Sequence, residues 1–342
     1  MRQPLALASS ILASAALADV RAQAMPVVDP APYRWIAADR ETGFPFGHPE
    51  RRSLHYLEVH DGLRGPPRTI RAIALRRSPL DSQRVPAFTA ELSMRMSTAT
   101  TTAATLAPAF AANHGPDLAE VLPQRLVSFP ASAGAVGSPA VPEYPLPCDR
   151  PFGFAGNGPL CFELTQVDHG NRVPTRFDLY QAGVGSTAAL GAGCGGLVLG
   201  SRVDPDRVLL QAAGAPPQMP LSFLFGMSFD QSGGLPLPLD LTPIGATGCV
   251  LWLAPWFATS GMSDASGRCE LAVPTAGLAP GIWFGAQALV ASPGVNPLGL
   301  VTSNAAIALP EAARVAGRLW SEDPGAATGR LQPVFGLVIE VR

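Results

Sequence analysis

The feature that most constrains the fold is the frequent interruption of short apolar segments by turn-forming residues. The 342 residues include 35 Gly and 36 Pro. Between Gly193 and Asn304, apolar runs of a few residues alternate regularly with Gly, Pro and Asn. Such spacing leaves no room for long helices, because Pro removes a backbone donor and Gly weakens a helix interior. The pattern predicts an all-β module in this stretch.

The segment Phe88–Met96 gives the clearest strand signal in the chain. Its odd-numbered residues are polar and its even-numbered residues are apolar, so the two sets occupy opposite faces of an extended backbone. A half-buried antiparallel strand produces this alternation. The tail Phe335–Val341 alternates in the same way, and a strand at a chain end needs a sheet to join.

Other segments with strand character recur about every ten residues, whereas Gly183–Gly196 is expected to be a connector. The remaining strand-like segments lie near 68–77, 126–129, 160–167, 175–180, 208–211, 221–229, 249–253, 269–273, 282–290 and 305–309. Many short strands separated by turns predict an all-β fold of two antiparallel β-sandwich (jelly-roll-like) domains.

Composition and charge exclude several functions. Hydrophobic residues make up 47% and charged residues 15% of the chain, and the net charge is −2. This balance predicts no nucleic-acid partner. All 24 basic residues are arginine. A phosphate-binding Walker loop, a pyridoxal enzyme and a protein kinase each require a lysine, so these classes are excluded.

The N-terminus has the order of an export signal. A short positive start is followed by the apolar run Leu5–Leu17 and by the small-residue sequence Ala22-Gln23-Ala24. This order predicts a signal peptide over residues 1–24, no transmembrane segment after its removal, and a secreted or cell-surface protein. Ala18 offers a second cleavage position.

No chemical motif in the chain predicts a catalytic, cofactor or metal site. The glycine spacing in Gly183–Ala188 matches that of a dinucleotide-binding motif. Such a motif needs a following helix to bind the pyrophosphate, and no helix can form before Gly191. His55 and His60 are five residues apart, which places them on opposite faces of a strand and prevents a shared metal. We expect both to be surface or edge histidines. Asp264 is expected to cap a turn.

Five cysteines in an exported chain predict disulfides and one remaining thiol. Cys148 and Cys161 flank a Gly-rich turn and could meet across a hairpin. For Cys249 the residues leave two partners open, Cys194 or Cys269 across the Trp252–Gly267 hairpin.

Among the aromatic residues, Trp256 and Phe257 follow Pro255 at the expected start of a hairpin loop. If exposed, they would suit stacking on a sugar or docking of a partner. The alternative is that this loop packs onto its own sheet.

Several short motifs together resemble a group of uncharacterised secreted proteins common in planctomycete bacteria, with a jelly-roll-like first domain and a Gly-Cys…Gly-Cys β module. The matching stretches are Phe110–Asp117, Pro151–Phe154, Leu160–Glu163, Gly193-Cys194, Leu237–Leu241, Gly248-Cys249, Ser263–Gly267, Ser303-Asn304, Arg318–Trp320, Ala327–Gly329 and Gly336–Val338. The resemblance implies no established activity. It favours a Cys194–Cys249 disulfide, with Cys269 left as a small buried apolar residue.

In that group the motif Arg318–Trp320 closes the first domain directly, whereas here it follows the Cys194 module. The resemblance therefore implies an insertion. We expect a first domain of residues 25–184 with 311–342 and an inserted β-sandwich of residues 185–310.

Two functions remain open at this point. The first is a secreted non-enzymatic protein with a surface, matrix or adhesion role, which could include carbohydrate binding, and whose partner is a glycan or a cell-surface molecule. The second is a secreted hydrolase of polysaccharides that uses a pair of carboxylates. A cleft with paired carboxylates would favour the enzyme.

Overall fold

The computed structural model describes residues 26–134 and 139–342. Within these residues the chain is built from antiparallel strands and contains no α-helix, which confirms the all-β prediction. The short helical elements are 3₁₀ turns at Ala31–Arg34, Asp61–Leu63, Phe110–Asn113 and Thr242–Ile244. The predicted signal peptide lies outside the described residues.

The strands are numbered in chain order. The first nine are β1 (Val27–Asp29), β2 (Arg40–Thr42), β3 (Leu54–His60), β4 (Arg68–Arg76), β5 (Phe88–Thr98), β6 (Ala119–Phe129), β7 (Pro142–Phe154), β8 (Leu160–His169) and β9 (Phe177–Gln181). The next twelve are β10 (Ser186–Leu190), β11 (Val198–Asp204), β12 (Arg207–Ala213), β13 (Pro220–Gly226), β14 (Gln231–Ser232), β15 (Leu235–Pro236), β16 (Leu239–Asp240), β17 (Val250–Leu251), β18 (Phe257–Met262), β19 (Cys269–Pro274), β20 (Phe284–Ala291) and β21 (Leu300–Leu309). The last four are β22 (Ala316–Ser321), β23 (Arg330–Gln332), β24 (Phe335–Leu337) and β25 (Ile339–Val341).

Two sheets enclose the core of the first part of the chain. One has the strand order β1-β25-β4-β7 and the other the order β23-β22-β3-β8-β5-β6. A smaller sheet of order β2-β9-β24 adjoins them. The buried cluster between the two large sheets includes Ile73 and Ile339 from the first and Leu92 and Phe162 from the second.

Strand β5 confirms the alternation in the sequence. Its apolar residues from Phe88 to Met96 are buried, whereas its polar residues Thr89, Glu91, Ser93 and Arg95 are partly or fully exposed. The strand continues two residues beyond the predicted end, to Thr98. The reason is that Ser97 and Thr98 continue the pairing with β8, opposite Cys161 and Leu160, while Ser97 is buried on the outer face of the sheet under a covering loop.

The chain terminus forms two short strands where the sequence predicts one. Leu337 in β24 pairs with β9, while Ile339 in β25 pairs with both β1 and β4. Val338, between them, is buried where the chain passes from one sheet to the next. The terminal residues therefore complete the sheets of the first part.

Strands β10 to β21 pair only with one another in the described residues. They form a sheet of order β10-β21-β20-β13-β18, a facing sheet of order β11-β12-β19 and two small hairpins. The expected connector at 183–196 contains β10, which joins the sheet because its backbone pairs with β21 from Ser186 to Leu190. That this region folds as a separate inserted domain stays a prediction.

The two parts of the chain share a third apolar cluster. The outer face of β21 contributes Ile307 and Leu309, and the first part contributes Tyr33, Tyr180 and Val338. The five-stranded sheet is therefore covered on both faces near β21. Strand β18 lies at the opposite edge of that sheet.

Candidate functional site

The disulfide of the chain joins Cys194 and Cys249, whose Cα atoms are 5.0 Å apart. The disulfide connects the segment between β10 and β11 to the residue before β17. Of the two partners that the sequence allowed for Cys249, the structure therefore pairs it with Cys194 and not with Cys269. Cys269 is a buried thiol. Its Sγ atom lies under Gly261, where a Cβ atom would approach it to 2.6 Å.

The predicted Cys148–Cys161 disulfide is wrong, because both residues are free thiols. The turn between β7 and β8 does not close a paired hairpin. Cys148 lies in β7, which pairs with β4, whereas Cys161 lies in β8 between β3 and β5. The chain crosses here from one sheet of the sandwich to the other. Burial raises the pKa of Cys148 to about 12, so its thiol is a weak nucleophile.

The densest group of titratable side chains surrounds Glu163 on the outer face of the six-stranded sheet. Glu163 Oε1 lies 2.8 Å from His55 Nε2, and Oε2 lies 2.6 Å from His114 Nε2. Arg95 also donates to Oε1. Burial would raise the pKa of Glu163, but hydrogen bonds from His114, His55 and Arg95 outweigh it and hold the pKa well below its usual range.

Both ring nitrogens of His55 face acceptors. Nε2 faces the Glu163 carboxylate, and Nδ1 lies 3.0 Å from the carbonyl oxygen of Ala326. The ring also stacks on Phe110, with 3.5 Å between centroids and 5° between planes. His55 thus connects the sheet to two covering loops.

Ser97, His114 and Glu163 form a hydrogen-bonded chain that resembles a hydrolase triad. The distance from Ser97 Oγ to His114 Nδ1 is 2.8 Å. Ser97 is fully buried, however, and its Oγ accepts a hydrogen bond from the Gly115 amide. A substrate cannot reach that oxygen, so a nucleophilic role would lack access. The arrangement instead fixes the loop over β5 and β8.

The motif Phe110–Asp117 supplies that loop. Asn113 is fully buried and its amide bonds the carbonyl oxygens of Ala107 and Ala109. Asp117 accepts hydrogen bonds from the amide and hydroxyl of Thr98. The polar residues of the motif therefore satisfy backbone groups under the loop, which is a structural task.

His60 lies on the opposite face of β3 from His55, as the spacing predicts. The expectation that both are surface histidines is wrong, since each is buried beneath segments distant in sequence. His60 Nδ1 lies 2.7 Å from Asp29 Oδ2, and its Nε2 lies 3.7 Å from Glu58 Oε2. Burial would lower the pKa of His60, but its hydrogen bond to the Asp29 carboxylate and the nearby negative charge of Glu58 raise the pKa to about 9.

The described residues contain no group of three or more His, Cys, Asp or Glu side chains placed to hold a metal ion. Asp264 caps its turn as expected, because its Oδ1 accepts hydrogen bonds from the amides of Ser266 and Arg268. Those bonds lower the pKa of Asp264. A carboxyl group that acts as a general acid needs a raised pKa instead.

Two surface pockets contain carboxylates of interest for a hydrolase. One of about 420 Å³ contains Asp264 and Glu270 beside Arg268. Another of about 140 Å³ contains Asp29, whose carboxylate is bonded to His60. Glu163, the carboxylate with the most side-chain donors, is buried on the sheet beneath its loop. The lowered pKa of Asp264 does not suit a general acid in the first pocket, and the Asp29 carboxylate in the second is already bonded to His60.

Trp256 and Phe257 are both exposed, by 78% and 57% of their surfaces. The expected loop start is in fact the first residue of a strand, because Phe257 opens β18. Phe257 packs partly on its own sheet, with its ring stacked on Phe225 at 4.7 Å and 4°. Trp256 donates its amide to the Phe225 carbonyl, and its ring projects from the protein.

The surroundings of these aromatics carry no charge. Strands β13, β18 and β20 contain no Asp, Glu, Arg or His. Ala258, Ser260 and Met262 are also exposed. Edge strands of soluble proteins are usually protected by charges, prolines or a covering segment. Strand β18 has none of these protections among the described residues, and we call it the open edge.

The Glu163 cluster was not predicted from the sequence. Its members come from four separate segments, each noted for another reason: His55 in the histidine pair, Arg95 in the alternating strand, and His114 and Glu163 in the motifs of the resemblance. Alternation along β3 could have placed His55 on the outer face, but no local signal shows that a loop covers that face.

Comparisons with protein-family models, curated proteins and solved structures found no match. No helix in the described residues is long and apolar enough to cross a bilayer.

Proposed function

We propose that the protein is a non-enzymatic surface or matrix protein, exported from its cell, that works by adhesion through the open edge. The observation that carries this proposal is the exposure of Trp256 and Phe257 at the end of an uncharged and uncovered strand. Exposed aromatics of this kind are enriched at protein contact surfaces. Export remains an expectation from the N-terminal sequence.

The buried polar groups support the same conclusion. The carboxylates of Glu58 and Glu163 bond histidines or backbone amides that belong to the fold. Such networks hold strands and loops that are distant in sequence in one arrangement. Because these buried carboxylates serve the fold, they support a function at the surface.

Carbohydrate binding is a narrower form of this proposal. The ring of Trp256 could stack on a sugar, but β18 offers only the hydroxyls of Thr259 and Ser260 beside it. Sugar recognition also requires several directed polar side chains. A protein contact therefore suits this surface better than a glycan.

The test is adhesion of the purified, fluorescently labelled protein to isolated cell envelopes of its own source. Trp256→Ala should weaken binding by about tenfold or more, as expected for loss of a central aromatic contact. Ile244→Ala is the matched control, since Ile244 is an exposed apolar residue outside β18.

Two other measurements complete the test. A glycan array would reveal carbohydrate binding, and Trp256→Ala should abolish any signal found there. Release of reducing ends from a panel of polysaccharides by the wild-type protein would contradict the proposal and favour the hydrolase.

A further inference from the structure

The open edge has backbone groups that face away from the protein. Strands β13 and β18 pair in one register from Pro220 opposite Met262 to Phe225 opposite Phe257. The next residue along, Ser263, donates its amide to the Met219 carbonyl at 2.9 Å. Hydrogen-bonded pairs recur at every second residue of an antiparallel ladder.

The residues of β18 therefore fall into two sets. Phe257, Thr259 and Gly261 direct their amides and carbonyls towards β13. Ala258, Ser260 and Met262 direct theirs towards the free side, where another strand can bind them. Buried backbone groups need partners, and a strand that adds to a sheet edge supplies them.

We propose that the open edge binds the open edge of a second copy of this chain, in antiparallel orientation about a two-fold axis at Thr259. This inference rests on the proposed contact function and names its partner. A two-fold interface is isologous, so the same strand must complement itself. Strand β18 does so in one particular register.

In that register Ala258 lies opposite Ser260 of the second copy. Both belong to the set whose backbone groups face outwards, so their amides and carbonyls can bond. Thr259 meets its own counterpart on the axis, and Thr pairs are favourable across strands.

The side chains at the two ends also complement each other. Phe257 lies opposite Gly261 of the second copy, and a large aromatic covers the surface that a strand glycine leaves open. Trp256 lies beside Met262 of the second copy, which brings a thioether next to an aromatic ring. The contact thus buries the three exposed apolar residues of this edge.

The other registers that keep outward-facing residues opposite each other are obtained by sliding one copy of β18 along the other by two residues. Sliding in either direction separates Phe257 from Gly261, and it leaves either Trp256 or Met262 without a partner. The absence of charge on β18 means that two copies meet without repulsion. The resulting sheet would continue across both molecules.

The oligomeric state of the mature chain, measured by sedimentation over a wide concentration range, tests the inference. We expect a reversible dimer. Two double variants test its register with the same two positions. Ala258→Lys with Ser260→Lys places like charges opposite each other across the axis, whereas Ala258→Lys with Ser260→Glu places opposite charges there. Both positions are exposed, so folding should be retained.

The doubly positive variant should raise the dimer dissociation constant by about tenfold or more, and the mixed-charge variant should restore it towards the wild-type value. Amide hydrogen exchange should slow at Ala258, Ser260 and Met262 as concentration rises. A wild-type chain that is monomeric throughout, or two double variants with equal affinities, would overturn the inference.

The envelope-binding assay separates this inference from the proposed function. A monomeric chain whose adhesion to envelopes still depends on Trp256 would overturn the paired edge and retain the contact function. In that case the open edge takes up a strand of a different protein.

Discussion

The carboxylate of Glu58 accepts a hydrogen bond from the backbone amide of Leu337 at 2.6 Å, across 279 residues of sequence. Glu58 also lies beside His60, which bonds Asp29 in β1. The first strand, the third strand and the terminal segment are therefore connected by three buried titratable groups. The stability of the fold should respond to the protonation of His60.

We expect the protein to lose stability as the pH rises from about 6.5 to about 9, because of His60. Its pKa of about 9 lies above the value near 6.5 of an unfolded chain. The contribution of His60 to the free energy of unfolding is fully present below about pH 6.5, and it is lost as the pH rises through the pKa of His60 in the folded protein. The size is on the order of 3 kcal/mol.

His60→Gln should flatten this part of the stability curve, measured by urea unfolding at successive pH values. His48→Gln is the control, because burial and Arg51 lower the pKa of His48 and remove it from this range. Equal alkaline losses in the wild type and in His60→Gln would contradict the assignment.

Glu163 should stabilise the protein in the opposite range. Its lowered pKa means that the contribution is present above an unfolded value of about 4.3 and is lost as the pH falls. Glu163→Gln removes the buried anion that Arg95, His55 and His114 contact, so we expect a loss of about 3–5 kcal/mol near neutral pH.

Unfolding by guanidinium chloride at neutral and acidic pH measures this difference. The loss caused by Glu163→Gln should shrink as the pH falls. Glu311→Gln changes an exposed carboxylate and should have little effect at any pH. A constant difference between wild type and Glu163→Gln would show that the amide disrupts packing instead.

The Cys194–Cys249 disulfide should stabilise the region around β10 to β21. It closes a separation of 55 residues, and linking the unfolded chain over such a distance is worth about 2–4 kcal/mol. The double variant Cys194→Ser with Cys249→Ser should lower the free energy of unfolding by that amount. Tryptophan fluorescence with denaturant would measure it, with Cys269→Ser as the control that retains the bridge.

The number of free thiols can be measured directly. Cys148, Cys161 and Cys269 should each take up an alkylating reagent in denaturant without reduction, and two more sites should react after reduction. Under native conditions the reaction should be slow, because burial raises the pKa values of all three. Mass spectrometry that finds one reactive thiol before reduction would support a second disulfide.

The terminal strand should be indispensable to the first sandwich. Ile339 is 1% exposed and belongs to the main core, so Ile339→Ala should cost about 2–5 kcal/mol. Leu331→Ala is the control, since Leu331 is 40% exposed on nearby β23. A negligible loss for Ile339→Ala in thermal unfolding would contradict the position of β25 between β1 and β4.

Patterns within short segments correctly predicted the features that neighbouring residues determine, such as which face of a strand a side chain occupies. Alternation placed the apolar residues of β5 inwards and put His55 and His60 on opposite faces. Alternation does not show which faces are covered, because that depends on loops from distant segments. Hence the burial of both histidines and the cluster around Glu163 could not be predicted.

The cysteines show the same limit. Cys148 and Cys161 looked close because a Gly-rich turn separates them, but a turn can connect two sheets as well as two paired strands. For Cys249 the alternation allowed two partners, and spacing alone could not choose. For Trp256 and Phe257 the sequence left open whether they are exposed or pack onto their own sheet, and their place on an unprotected edge follows from strand order.

The pairing of β1 with β25 also determines when the fold can be completed. A ribosome makes β1 and β4 long before β25, so β4 has no neighbour on one side until residues 339–341 have been made. Folds dominated by such distant contacts form slowly. A chain that has not yet acquired residues 339–341 would expose the edge of β4 and attract chaperones or proteases, so the same three residues that join β1 to β4 also shield this edge from quality control.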